Sequence, residues 1–311
     1  MLSRVADTIY WMARYMERTN GMLRVLKTNY ISSQEELTDF SWRSVLYTYG
    51  GLPPDDITEI EEDSIKVMDY ILLDRNNLLS VINNIIRSRE CARAIQDHIT
   101  REVWQCLNDY YHSIRNPDIA YLMRSGDPVS ILDSLIQHSL FYNGTVDITM
   151  PRGEGFNYLN IGKLLERSIQ TADILNIKLR ELNYDSNDRL EAPALRYLLN
   201  SLSGYELYFK IYRGNFTLDN VLQLILYNTN YPHSILYCLQ QLNSNFEKLS
   251  TESLPENYNR LEFLLGKAMN NVKYSNMRST NGEVLQQFLV QTRKELIEIA
   301  NSFNQFYFGN T

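Results

Sequence analysis

Two acid–base pairs carry most of the chemical capacity of this sequence: Glu17-Arg18 near its start and Glu166-Arg167, 149 residues later. A glutamate held in a dry groove works as a general acid or base, and a guanidinium grips carboxylate or phosphate oxygens with paired donors. Adjacent helical positions point about 100° apart, so the members of each pair serve different faces. Ala13 and Gly162 stand one turn before the two glutamates and are small enough for a neighbouring helix to close over them. Two readings follow. In the first, each glutamate makes a structural buried ion pair, with Arg43 or Arg196 from the next helix as candidate partner. In the second, Glu17 and Glu166 are catalytic carboxylates facing a shared cleft between the two halves, with Arg18, Arg43, Arg167 and Arg196 as anion-binding groups. The first is the simpler.

A further set is Arg87-Ser88-Arg89-Glu90-Cys91-Ala92-Arg93, preceded by Arg75. Arg89 and Arg93 lie four apart on one helical face, as two forks suited to phosphate or carboxylate, or as a salt-bridged surface with Glu90 and Asp97. The equivalent stretch of the second half, Gln240-Gln241-Leu242-Asn243, has no arginine. The four histidines are scattered at His98, His112, His138 and His233, and Cys91, Cys106 and Cys238 form no paired-thiol motif. No metal-ligand spacing, phosphate loop or nucleophile elbow is present, so neither a metal nor a cofactor is expected and the balance leans against an enzyme.

The elements that position these residues read as helices. Val5, Ile9, Met12, Met16, Leu23, Leu26 and Tyr30 form an apolar stripe at steps of three and four, started by Ser3 and ended by Ser32-Ser33. Further helices are expected near 35–49, 65–73, 77–93 and 100–114, and after Asn116-Pro117 and Asp127-Pro128. Gly144 to Gly155 reads as the central loop. The second half then gives helices near 156–182, 193–203, 205–213, 218–227, 232–249, 256–274 and 282–306. Only 13 Gly and 8 Pro occur in 311 residues, too few for the turns of a large sheet protein. The fold class is all-α.

The halves resemble each other. Tyr15-Met16-Glu17-Arg18-Thr19 recurs as Leu164-Leu165-Glu166-Arg167-Ser168, and Ala13 and Arg14 correspond to Gly162 and Lys163. Trp42-Arg43 and Leu46 recur as Leu195-Arg196 and Leu199, and Val67 to Leu72 as Val221 to Leu226. Ser80-Val81 recurs as Ser234-Ile235. Ordered blocks at a nearly constant offset mark an internal duplication. The expected organisation is a helical bundle of two divergent tandem repeats of antiparallel helices, 1–148 and 149–311, the second with a closing C-terminal helix and the whole forming one compact unit. The charge of −7, from 30 Lys+Arg against 37 Asp+Glu, argues against nucleic acid. No apolar run reaches the roughly 20 residues of a membrane span, and the first residues lack the apolar core of a secretory signal. With an odd number of thiols, this places the chain in the cytoplasm.

In these blocks the sequence resembles the bacterial Alpha-E family of all-helical domains with a Glu-Arg motif, usually duplicated in tandem. Leu2-Ser3-Arg4-Val5-Ala6 with Tyr10 to Arg18 looks like the family's opening signature. Arg89 to Arg93 and Trp104 to Asn108 look like its next two blocks. Thr149-Met150, Gly155-Phe156 and Gly162 to Arg167 are similar to the start of its second copy, and Tyr231-Pro232-His233-Ser234-Ile235 to a later one, with His233 in place of an arginine. The resemblance implies context more than chemistry: association with a circularly permuted ATP-grasp ligase-like protein, a transglutaminase-like protein and an NTN-hydrolase-type peptidase in a peptide synthesis or modification system. The chain is therefore expected to be a non-catalytic adaptor or regulator in such a system. The alternative is an enzyme or small-ligand-binding protein using the paired Glu-Arg motifs.

Overall fold

The computed structural model describes residues 1–35, 41–181, 191–249, 255–277 and 282–309, and among these every regular element is helical. The chain divides into two compact units. An N-terminal unit spans Trp11–Pro151, and a C-terminal unit joins Met1–Tyr10 to Arg152–Thr311.

The N-terminal unit holds most of α1 (Ser3–Ser33), then α2 (Arg43–Tyr49), α3 (Pro54–Ile60), α4 (Ser64–Leu72), α5 (Val81–Ala94), α6 (Arg101–Ile114), α7 (Pro117–Ser125) and α8 (Pro128–Thr149). Local chemistry sets several starts. Asp63 accepts from the amides of Ile65 and Lys66, Thr100 from Val103, Asn116 from Asp118 and Asp127 from Ser130. Pro117 and Pro128 follow the last two caps at the first helical position, where a missing N–H costs nothing. Between residues 12 and 29 of α1 all but five positions are buried, polar ones included: Thr19, Asn20, Thr28 and Asn29 are buried along with Met16, Leu23 and Leu26. The helix is held from several sides. The Ser88 hydroxyl on α5 donates to the Met12 carbonyl at 3.2 Å, the Asn84 amide meets the Met22 sulfur at 3.6 Å, and Lys27 pairs with Asp133 of α8.

The C-terminal unit holds α9 (Glu154–Glu181), α10 (Glu191–Ser201), α11 (Tyr205–Tyr212), α12 (Leu218–Leu222), α13 (Ile235–Phe246), α14 (Pro255–Lys273) and α15 (Gly282–Ser302). A π-helical turn at Gln223–Tyr227 continues α12, and another at Phe303–Tyr307 continues α15. Here α9 is the enclosed helix, packed against α13 and α15. The first residues of α1 also dock on it. The chain's amino group pairs with Glu154 at 2.6 Å, and the Tyr10 ring lies 5.8 Å from Phe303 and 5.2 Å from Phe308.

Three expectations change. The central loop is short, because α8 runs on to Thr149 and Gly144 is helical; Tyr142, Val146 and Met150 continue a buried stripe across it, and one glycine costs a helix only about 1 kcal/mol. The acidic stretch from Asp55 contains a helix of its own, α3, started by Pro54. The helix expected from Glu35 begins at Arg43, and 36–40 lie outside the described residues, as does Leu182.

Candidate functional site

Glu17 lies in the enclosed part of α1, 3% exposed. Arg14, three residues earlier and so on the same helix face, is 6% exposed, with its guanidinium 4.6 Å from the Trp11 ring centre. Arg18 is half-buried, 6.0 Å from the Tyr15 ring, which Arg87 of α5 also approaches at 5.8 Å. The Tyr15 phenol is pushed above its ordinary pKa by burial, against the pull of Arg87, Arg18 and Arg14. Glu17 also lies within electrostatic reach of Tyr142 of α8. That phenol is driven far above its ordinary value by burial first, then by Cys106, Glu17 and Cys91, and its hydroxyl has no hydrogen-bond partner among the described residues. Nothing in the sequence marked Tyr142, because its neighbours come from three different helices.

Glu166 on α9 is 2% exposed. Lys163 stands three residues before it, at the spacing of Arg14 and Glu17. Two turns further along the same face, Asp173 takes the guanidinium of Arg293 from α15. Burial raises the Asp173 pKa more than Arg293 lowers it, and Glu166 adds to the rise. The seven-residue spacing of these two carboxylates was readable; the arginine 120 residues away was not. Arg167 donates to the Pro232 carbonyl at 3.4 Å, and the Thr171 hydroxyl to the His233 carbonyl at 3.2 Å. Side chains of α9 thus fasten the segment that leads into α13. Tying two elements together in this way is a positioning function.

The other predicted arginines are engaged by neighbouring side chains. Arg43 pairs with Glu61 at 3.1 Å and donates to the Thr58 hydroxyl at 3.2 Å, so its guanidinium is turned to α3 and its flank instead of to Glu17. Arg196 is exposed and stacks 5.5 Å over the Tyr205 ring. Arg89 is walled in by α6: it donates to Asn108 at 2.9 Å and lies 4.4 Å from the Tyr111 ring and 5.4 Å from that of Trp104. Glu90 bridges Arg89 at 3.0 Å and Arg93 at 2.5 Å, which answers the fork by an internal carboxylate. Among the described residues no three His, Cys, Asp or Glu side chains are grouped so as to hold a metal ion.

Between α6 and α8 the N-terminal unit has a cleft of about 540 Å³. Glu102, Cys106 and Asp109 come from α6, and Phe141, Gly144 and Ile148 from α8. Burial, then Asp109, raises the Cys106 thiol to about 11, only partly offset by a hydrogen bond with Thr145. It is a protonated thiol, without the character of a nucleophile.

These features define an all-helical protein in which each of two units encloses one helix carrying a buried glutamate followed by a less buried arginine. A family model described as a predicted alpha-helical domain with a conserved ER motif, Alpha-E, matches residues 1–308, and the chain belongs to that family. Among curated relatives are uncharacterised proteins of Mycobacterium bovis and of two strains of Mycobacterium tuberculosis. Each is 22% identical over 275 residues, covering 81% of this chain and 31% of the relative. The chain thus spans about a third of the length of the relatives it matches. No solved structure matches it. No helix among the described residues is long and apolar enough to cross a membrane.

Proposed function

We propose that this chain is a non-catalytic helical adaptor or regulator, acting beside a circularly permuted ATP-grasp-like partner in a peptide synthesis or modification system. The observation that carries this reading is the burial of both Glu-Arg glutamates, at 3% and 2% exposure. A general acid or base has to touch its substrate, whereas a buried carboxylate with a cation three residues away on its own helix fits a structural role. The identity of the partner, and of the transglutaminase-like protein expected with it, rests on the family resemblance. That the relatives are about three times as long as the match agrees with a module that works in company.

We further read the two units as divergent copies of one antiparallel helical repeat. α5 begins at Val81 and α13 at Ile235, the offset of 154 that separates the matched Ser80-Val81 and Ser234-Ile235 blocks. Ser80 and Ser234, at the starts of α5 and α13, are both fully buried, with hydroxyls that have no partner among the described residues. Shared imperfections at matched positions are what duplication leaves behind.

Co-expression with the ATP-grasp-like protein tests the function. The two should co-purify, and removing this chain should lower the partner's ligase activity or alter its assembly. A partner indifferent on both counts refutes the adaptor reading.

A further inference from the structure

We propose that the α6–α8 cleft is a docking groove for a cationic amphipathic helix of a partner protein. This rests on the adaptor reading and gives it a surface. Phe141 is 64% exposed and Ile148 84% exposed, beside an exposed Leu140. Phe141, Gly144 and Ile148 recur at steps of three and four, and Leu140 stands four before Gly144, so they form one apolar stripe on the outer side of α8. That stripe is separate from the buried stripe of Leu135, Tyr142 and Val146, which serves the unit's own core. A second apolar face on a helix that already has a packed one calls for a partner.

Gly144 adds an independent sign. It sits in mid-helix at an ordinary helical φ, where alanine would be better by about 1 kcal/mol, and a Cβ there would meet nothing within 4 Å. Neither backbone conformation nor internal packing requires it. Between Phe141 and Ile148 it leaves a notch into which the ridge of a second helix fits, the geometry that lets helices cross closely.

The chemistry of the occupant follows from the rim. Glu102 and Asp109 border the cleft, and no Lys, Arg or His lines it among the described residues. A second copy of this chain, placed across a two-fold axis, would bring these carboxylates against themselves, and an anionic lipid surface would be repelled in the same way. A helix with apolar residues at steps of three and four, flanked by Lys or Arg, satisfies both floor and rim. From Leu140 to Ile148 the stripe is about 12 Å long, so two to three turns of partner helix fill it.

The test uses the whole chain and two synthetic 18-residue amphipathic peptides that share a leucine face, one with a lysine polar face and one with glutamate. Binding is read from the anisotropy of a fluorophore on the peptide. The lysine peptide is expected to bind saturably, and at least tenfold more weakly to the Phe141→Ser/Ile148→Ser and Glu102→Gln/Asp109→Asn variants. It should bind unchanged to Phe263→Ser, which alters an exposed phenylalanine of the C-terminal unit. Equal binding of the glutamate peptide, indifference to the cleft variants, or a concentration-dependent dimer abolished by Ile148→Ser would overturn the proposal. So would undiminished co-purification of Phe141→Ser/Ile148→Ser with the ATP-grasp-like protein, which leaves the adaptor reading standing. Peptide binding as expected, with no co-purification by the parent chain, supports the groove and takes down the adaptor reading instead.

Discussion

Alanine at Gly162 should destabilise the C-terminal unit, whereas alanine at Gly144 should stabilise the N-terminal one. A Cβ at Gly162 would lie 2.4 Å from the Tyr10 carbonyl oxygen, 3.1 Å from its carbon and 3.2 Å from the Tyr10 ring. An ordinary carbon–oxygen contact is about 3.3 Å, so the start of α1 has to retreat from α9 by about 1 Å. The obstacle is backbone, which has no rotamer to change, and Tyr10 is wedged against Phe303 and Phe308. Overpacking of this kind costs about 1–3 kcal/mol, here at the upper end, against about 1 kcal/mol gained in helix propensity. The net loss is about 2 kcal/mol. Gly144→Ala meets nothing and keeps the gain of about 1 kcal/mol. The two substitutions therefore differ by about 3 kcal/mol, more than a hundredfold in folding equilibrium. Urea denaturation separates them, because Trp11, Trp42 and Trp104 all belong to the N-terminal unit. Fluorescence excited at 295 nm reports Gly144→Ala, and helical circular dichroism follows both units. A Gly162→Ala chain that unfolds at the parent's urea concentration, or above it, refutes the helix crossing as the reason for that glycine.

Removing the unpartnered Tyr142 hydroxyl as Tyr142→Phe should be neutral or stabilising by up to about 1 kcal/mol, while Tyr110→Phe should cost about 1 kcal/mol. The Tyr110 hydroxyl donates to the Leu135 carbonyl at 2.8 Å and lies 3.1 Å from the Ser139 hydroxyl, so equal effects in denaturation would contradict the contrast. His138 stacks on Tyr110 at 5.0 Å, and burial holds its pKa below 6.5 although Asp109 opposes this. The unfolded chain takes that proton first, so stability falls as pH drops below 6.5; His138→Phe should flatten the decline between pH 7.5 and 5.5. Asp173 acts with the opposite sign. Its folded pKa is raised above 3.8, so the unfolded chain ionises first and stability is lost as pH climbs above that value. Titrating the stability difference between Asp173→Asn and the parent should show it shifting in favour of the variant from pH 3.5 upward.

The sequence disclosed the helices through their apolar period, and capped starts such as Thr100 and Asp127 were readable to the residue. It was silent where burial does not follow hydrophobicity. On α1 and α9 the stripe marks one face, yet Thr19, Asn20, Ser168, Gln170 and Thr171 are buried as well, because helices pack around these two from several directions. A polar residue on such a helix reads as solvent-facing until its neighbours are placed. The arginines failed for a related reason. Arg43 and Arg196 match each other along the sequence, but their surroundings differ, an acidic neighbour at Glu61 and an aromatic one at Tyr205, and those neighbours decide where each guanidinium goes.

The same argument bears on what the Glu-Arg motif is for, and it yields a decisive substitution. Burying a carboxylate is costly unless charge and hydrogen bonds compensate it, and removing one member of a compensated buried pair costs about 3–5 kcal/mol because the other is left alone. Arg14 and Lys163 are the cations three residues before Glu17 and Glu166, and Arg14 is itself buried. Glu17→Gln and Glu166→Gln keep size and hydrogen-bonding capacity while deleting the charge. If the motif is structural, each lowers the stability of its own unit by several kcal/mol, Glu17→Gln visibly in tryptophan fluorescence and Glu166→Gln in circular dichroism alone. Any loss of partner function should then follow the fraction unfolded. A catalytic pair predicts the reverse pattern, with stability within about 0.5 kcal/mol of the parent and function abolished at temperatures where both variants are fully folded. That outcome would return the glutamates to the chemistry their side chains permit.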